Sequence, residues 1–179
     1  MESTKEKQKT VYDELKGEFG YTNRMATPKI VKVVVSTGTG RRMRTDREWN
    51  ELVADRLAKI TGQKPAPRGA KKSIANFKVR QGEVIGESVT LRGERMYAFL
   101  DKLFGIAIPR MRDFRGLPVM SVDEMGNFTT GIREHTIFPE TADEDLRDVF
   151  GMSVTIVTTA KNKAEAIAFL KHIGVPFKK

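Results

Sequence analysis

Residue types able to do covalent or metal chemistry are sparse in this chain, and none falls at the spacing such chemistry needs. Cysteine is absent from the 179 residues, which removes thiol catalysis, iron–sulfur clusters, zinc knuckles and disulfide scaffolds. His135 and His172 stand far apart with no H-x-x-x-H spacing, so neither a metal site nor a cofactor is expected. Both read as surface or lightly packed side chains. Gly38-Thr39-Gly40 follows a strand-like run, but the third glycine of a dinucleotide fingerprint would fall at Met43. Gly69-Ala70-Lys71-Lys72-Ser73 likewise misses the G-x-x-x-x-G-K-S/T phosphate loop. Asp143-Glu144-Asp145 reads as carboxylates opening a helix, where the N-terminal dipole favours them without any cation. No serine occupies a G-x-S-x-G elbow, and an enzyme is not expected.

The chemistry that remains is recognition of a polyanion. The net charge is +9, and positive charge attracts nucleic acid only where it is concentrated, because interspersed signs cancel beyond a screening length of about 8–10 Å. From Lys64 to Arg80 there are six cations (Lys64, Arg68, Lys71, Lys72, Lys78, Arg80) and no acid. Arg41-Arg42-Met43-Arg44 and the run of Arg110, Arg112 and Arg115 add two further basic groups. Gly116 to Phe150 reverses the balance, with eight acids against two arginines. The stretch Ser73–Gly86 interleaves Lys78 and Arg80 with Phe77, Asn76 and Gln81 between glycines. Cations neutralise phosphates and an aromatic ring stacks on a base. A solvated hairpin with Phe77 tucked beneath it is the alternative that these residues alone leave open.

The elements that would position these groups read as an α+β layer, a curved, mainly antiparallel sheet with helices on one face and a long basic loop or hairpin projecting from it. Val11, Leu15 and Phe19 mark a helix over 3–19 that docks by a narrow stripe. Lys29–Ser36 is a β-branched strand, with Lys32, Val34 and Ser36 on the face opposite Val33 and Val35. Thr45 and Glu48 have capping-box spacing ahead of a helix through Trp49, Leu52, Val53, Leu57 and Ile60 to Gly62. Val84–Arg92 is a strand with Ser88, Thr90 and Arg92 outward. A helix follows from Gly93 to about Ala107, ended by Pro109. A hairpin over Leu117–Phe138 turns at Met125-Gly126-Asn127 and places a strand at Gly131–Phe138. Met152–Thr159 is a strand, and Lys163–Ile173 a helix with Ala164, Ile167 and Leu170 on one side. No apolar run approaches the 18 or so residues of a membrane span, and the charged N-terminus has no secretory core. A cytosolic, basic, single domain over 1–179 is expected, with 1–20 docking on it and 64–86 projecting.

Several motifs together resemble one family, bacterial large-subunit ribosomal protein five, which binds 5S rRNA. They are Met25-Ala26-Thr27-Pro28-Lys29, Leu57–Pro65 (LAKITGQKP), Lys71-Lys72-Ser73, Phe77–Gly82 (FKVRQG), Val89–Met96 (VTLRGERM), Pro109–Gly116 (PRMRDFRG) and Pro176-Phe177-Lys178-Lys179. The resemblance runs collinearly from about residue 10 to the end. It implies that the sheet grips a loop region of 5S rRNA, with Gln63 and Thr90 as contacts and Ser36 at a third contact that is usually Asn. A hydroxyl there is shorter and lacks the amide's two donors. Lys32, Lys64 and Arg92 belong to the same implied interface. The loop bearing Lys71, Lys72, Ser73, Asn76, Phe77, Lys78, Arg80 and Gln81 would reach P-site tRNA, and Arg110, Arg112 and Arg115 would meet other RNA. Arg68 and Asn76 stand where a small hydroxyl residue and Gly are common. Implied partners are 5S rRNA, 23S rRNA, P-site tRNA, other 5S-associated large-subunit proteins and, across the subunit interface, small-subunit protein thirteen. A free-standing RNA chaperone with this fold is the second reading, and cosedimentation with large subunits separates the two.

Overall fold

The computed structural model describes residues 3–43, 46, 48–112, 114–143 and 148–178. Its four helices are α1 (Thr4–Phe19), α2 (Trp49–Thr61), α3 (Gly93–Lys102) and α4 (Lys163–Ile173). Its five strands are β1 (Ile30–Gly38), β2 (Ala66–Gly69), β3 (Val84–Leu91), β4 (Phe128–Ile132) and β5 (Met152–Thr158). They form one antiparallel sheet in the order β2-β3-β1-β5-β4, which makes this an α+β protein. The described residues gather into two compact units. One holds Met1–Val33, Arg92–Thr130 and Thr155–Lys179, the other Val34–Leu91 and Gly131–Val154.

Period-two alternation sets which strand faces are covered. Val33, Val35 and Thr37 of β1 are buried, as are Val89 and Leu91 of β3 and Met152, Val154, Ile156 and Thr158 of β5. Lys32, Val34 and Ser36 of β1, and Ser153, Thr155 and Val157 of β5, are only half-buried. Each of these two strands therefore has one apolar face and one face carrying hydroxyls.

In the first unit, α1 begins in a capping box. The Ser3 hydroxyl accepts from the helix backbone, and Glu6 reaches back to the Ser3 N–H. Gly20 closes the helix in the left-handed conformation, a C-cap geometry that favours glycine. Val11 and Leu15 are buried where α1 packs on α3 and α4. The docking is also polar: Asp101 of α3 accepts from the Ser3 hydroxyl at 2.9 Å and from the Thr4 N–H at 2.7 Å. Burial alone would push the Asp101 carboxyl up, but these hydrogen bonds, with Lys7 nearby, hold it below its ordinary value.

Several expectations need correction. Helix α2 starts at Trp49, with Glu48 in the cap position and no side-chain hydrogen bond there. Thr45, expected to cap it, lies outside the described residues, as do Arg44 and Glu144–Arg147, so the expected helix opening at Asp143–Asp145 falls mostly there too. The helix from Gly93 is α-helical only to Lys102, then widens into a π turn over Leu103–Ala107 and tightens into a 3-10 turn at Ile108–Arg110 that includes Pro109. The strand expected at Gly131–Phe138 lies earlier. Phe128, Thr130 and Ile132 carry the buried alternation, and beyond Ile132 the chain coils through two short turns at His135–Ile137 and Pro139–Thr141. In α4 the buried stripe is Ala166, Phe169, Leu170 and Ile173, the i, i+3, i+4, i+7 set that brings Phe169 inward; Ala164 is exposed and Ile167 half-buried. Ser88, expected outward, is buried because β2 lies against β3 and Arg68 Nη2 reaches its hydroxyl at 3.5 Å.

Candidate nucleic-acid interface

Within the second unit, α2 delivers Gln63. The Thr61 hydroxyl donates back to the Leu57 carbonyl in the last turn, Gly62 adopts φ +67 and ends the helix, and the chain doubles towards β3. There the Gln63 Nε2 donates to the Thr90 carbonyl at 3.3 Å. Two residues 27 positions apart are thereby held side by side, half-buried, with the Gln63 Oε1 and the Thr90 hydroxyl making no hydrogen bond among the described residues. Ser36, on the half-buried face of β1, shares a hydrogen bond with the Ser153 hydroxyl of β5 at 2.9 Å. Thus two hydroxyls stand where the family resemblance expects an amide. Lys64 is exposed beside Gln63.

In the first unit, Lys32 is half-buried on β1, and exposed Arg92 donates to the Val31 carbonyl at 3.5 Å. Thr129 of β4 and Thr155 of β5 pair through their hydroxyls at 3.0 Å. Arg110, Arg112 and Arg115 are all exposed.

The segment 64–86 is built as a hairpin. β2 pairs antiparallel with β3, Ala66 against Ser88 through Gly69 against Val84, and the connection spans 70–83. Its tip is a second, tighter closure in which Ile74 and Val79 bridge around a 3-10 turn at Ala75–Phe77. Lys78 takes a left-handed φ of +47. Ser73 accepts from the Gln81 N–H at 2.9 Å, and Glu83 from the Arg80 N–H at 3.0 Å. Ser73 therefore braces the tip. Lys71, Lys72, Asn76, Lys78, Arg80 and Gln81 are not buried, and Phe77, at 63% exposure, is not tucked beneath the hairpin. Glu87, the acid nearest in β3, is buried, and burial pushes its carboxyl up from the ordinary range.

Sequence reasoning missed two features here. An apolar groove of about 1060 Å³ runs beside the hairpin, walled by Ile74, Phe77, Val79 and Ile85; these four follow neither a helical nor a strand period, so no pattern flagged them. Arg42, one of the basic groups in the sequence, is spent inside its own unit. Its guanidinium lies 3.6 Å from the Trp49 ring centre and 3.8 Å from Asp148. Trp49 meets Phe150 edge-on, and Phe150 stacks on His135 at 4.1 Å. His135 is completely buried, its Nδ1 accepting from the Phe150 N–H at 3.3 Å, which corrects the surface reading. His172 is half-buried with Nε2 2.9 Å from the Lys7 carbonyl.

A profile of ribosomal protein L5 matches residues 23–80, and a profile of the C-terminus of the same ribosomal family matches residues 84–177. The chain belongs to the ribosomal protein L5 family. Large ribosomal subunit protein uL5 of Anaeromyxobacter sp. strain Fw109-5 is 47% identical over 171 residues, which cover 96% of this chain and 94% of that protein. The protein of the same name from Microcystis aeruginosa is 47% identical over 171 residues, covering 96% and 95%. That from Ureaplasma urealyticum is 48% identical over 169 residues, covering 94% and 91%. The two family profiles meet at the end of the 70–83 connection. Two family motifs far apart in the sequence also touch: Leu117, just after Gly116, exchanges backbone hydrogen bonds of 2.8 Å with Pro176 and Lys178.

Proposed function

We propose that this chain, a structural and non-enzymatic constituent of the large ribosomal subunit working in the cytoplasm, binds 5S rRNA through Ser36, Gln63 and Thr90 flanked by Lys32, Lys64 and Arg92. The supporting observation is the Gln63–Thr90 juxtaposition, which offers an amide oxygen and a hydroxyl from two elements at one spot. Such neutral polar groups read shaped, unpaired RNA, whereas lysine and arginine contacts to phosphates position the RNA without reading it. The cations of the 70–83 connection, with Phe77 between them, suit the backbone and bases of a second RNA, the P-site tRNA. Arg110, Arg112 and Arg115 suit 23S rRNA. Attachment of 5S rRNA beside other 5S-associated proteins, and contact with small-subunit protein thirteen, complete the proposal.

The test is filter binding of 5S rRNA against an unrelated RNA of equal length at moderate salt. The protein favours 5S rRNA at least about tenfold. Gln63→Ala and Thr90→Val each weaken 5S binding about 5–30-fold, the worth of a hydrogen bond or two, and leave the unrelated RNA unaffected. Equal affinity for both RNAs would sink the reading.

A further inference from the structure

The first unit contains a basic cavity that the interface above does not use. About 350 Å³ in volume, it opens between α1, the segment 24–29 and α3. Four cations line it, Lys5, Lys9, Arg24 and Lys29, and among the described residues no carboxylate does. Lys5 is neutralised by its ion pair with Glu94, which leaves three. Arg24 is anchored, since its Nη2 donates to the Lys9 carbonyl at 2.7 Å, so the guanidinium is held at the rim of α1 rather than swinging in solvent. Apolar surface lies among these charges: the Tyr97 ring, the Tyr12 ring, over which the Lys16 ammonium lies 5.2 Å from the ring centre, and the Met25 side chain, which is 74% exposed. A solvated charged face has no need of an exposed thioether and two half-buried tyrosines within its cluster. A nucleotide uses both parts, with the phosphate on the cations and the base on the rings.

We infer that this cavity holds an unpaired nucleotide of a bound RNA, its phosphate among Lys9, Arg24 and Lys29 and its base against Tyr12 and Tyr97. The inference rests on the reading that the chain works on RNA, but adds a contact on the α1 side distinct from Gln63, Thr90 and the 70–83 connection. A phosphate bound to planar Arg24 is gripped by a fork of N–H donors, which fixes direction as well as charge.

The test measures affinity for 5S rRNA and for the unrelated RNA across a salt series. The triple variant Lys9→Ala/Arg24→Ala/Lys29→Ala reduces the log–log salt slope by about 0.7–0.9, the loss of the one phosphate that the three cations share. Tyr97→Leu weakens binding about tenfold, as loss of a stacked base does, with the slope unchanged. Far-UV circular dichroism checks that both remain folded, and Lys9→Gln/Lys29→Gln, which spares the Arg24 anchor, weakens binding with a smaller slope loss than the triple variant. A slope within about 0.3 of wild type in the triple variant overturns the inference. So does adenosine monophosphate or poly-glutamate displacing RNA at equal charge concentration, which would assign the cavity to a free nucleotide or an acidic protein. Because the slope is read on either RNA, loss of 5S preference alone would strike the proposed function and not this site.

Discussion

Gly116 shows how one position carries a family motif. It has φ +95, and a Cβ built there would stand 2.6 Å from the Lys178 Cα and 2.7 Å from its N. Both the left-handed backbone and the approach of the C-terminal segment demand the missing side chain. Gly116→Ala is therefore expected to cost about 2–4 kcal/mol, strain plus displacement of backbone, and to free Phe177 from its edge contact with Phe128. Urea unfolding measures it, and a change under about 0.5 kcal/mol would show that the segment yields cheaply. Among the proposed site residues, alternation alone puts Ser36 and Thr90 on outward strand faces, but their role, and Gln63 altogether, come only from the family resemblance. Burial of His135 was not legible at all. Its neighbour Phe150 is 15 residues away, and only the coil after β4 brings the rings together.

Among the elements, those with an unbroken apolar period were readable to within a residue or two: α1, β1, β5 and the bounds of α4. Departures came where the apolar pattern does not decide the kind of turn. At the end of α3 the chain keeps turning to Pro109, but as a π turn over Leu103–Ala107 and a 3-10 turn beyond it, and in the 131–138 run the strand ends at Ile132 although apolar residues continue at Ile137 and Phe138. Docking of α1 supplies a prediction at this scale. A carboxyl whose folded pKa is lowered, as at Asp101, contributes stability that is present above the ordinary aspartate value of about 3.9 and is lost as pH falls through and below it. Acid should therefore release α1 from α3 first. Hydrogen exchange of the α1 amides between neutral pH and pH 3 reports it. Asp101→Asn should cost about 1 kcal/mol at neutral pH, since the bonds to Ser3 and Thr4 are partly solvated, and flatten the acid loss. If α1 protection in the variant falls with acid as steeply as in wild type, Asp101 is not what holds the helix.

For the whole molecule, the net charge of +9 divides unequally. Gly116–Phe150 carries eight acids and two arginines, so the remainder is far more basic than the total suggests, and RNA attachment belongs there. That basic remainder supplies two different kinds of group. Gln63, Thr90 and Ser36 are half-buried and fixed on or beside regular elements, whereas Lys72, Lys78 and Arg80 stand on the 70–83 connection. Groups fixed in the sheet can discriminate one RNA shape, because their donors do not move to suit another. Cations on a braced tip add affinity for any backbone within reach and little discrimination. The two sets should thus be separable. Lys72→Ala/Lys78→Ala/Arg80→Ala is expected to reduce P-site tRNA occupancy on reconstituted ribosomes about tenfold or more, and to weaken isolated 5S rRNA binding less than about threefold. The turn at Ala75–Phe77 and the Ser73 brace survive these changes, since their hydrogen bonds run through the backbone and the Ser73 hydroxyl and use none of the three side chains. Equal losses for both RNAs would mean that the hairpin and the sheet form one continuous site, and the division by kind of group would fall.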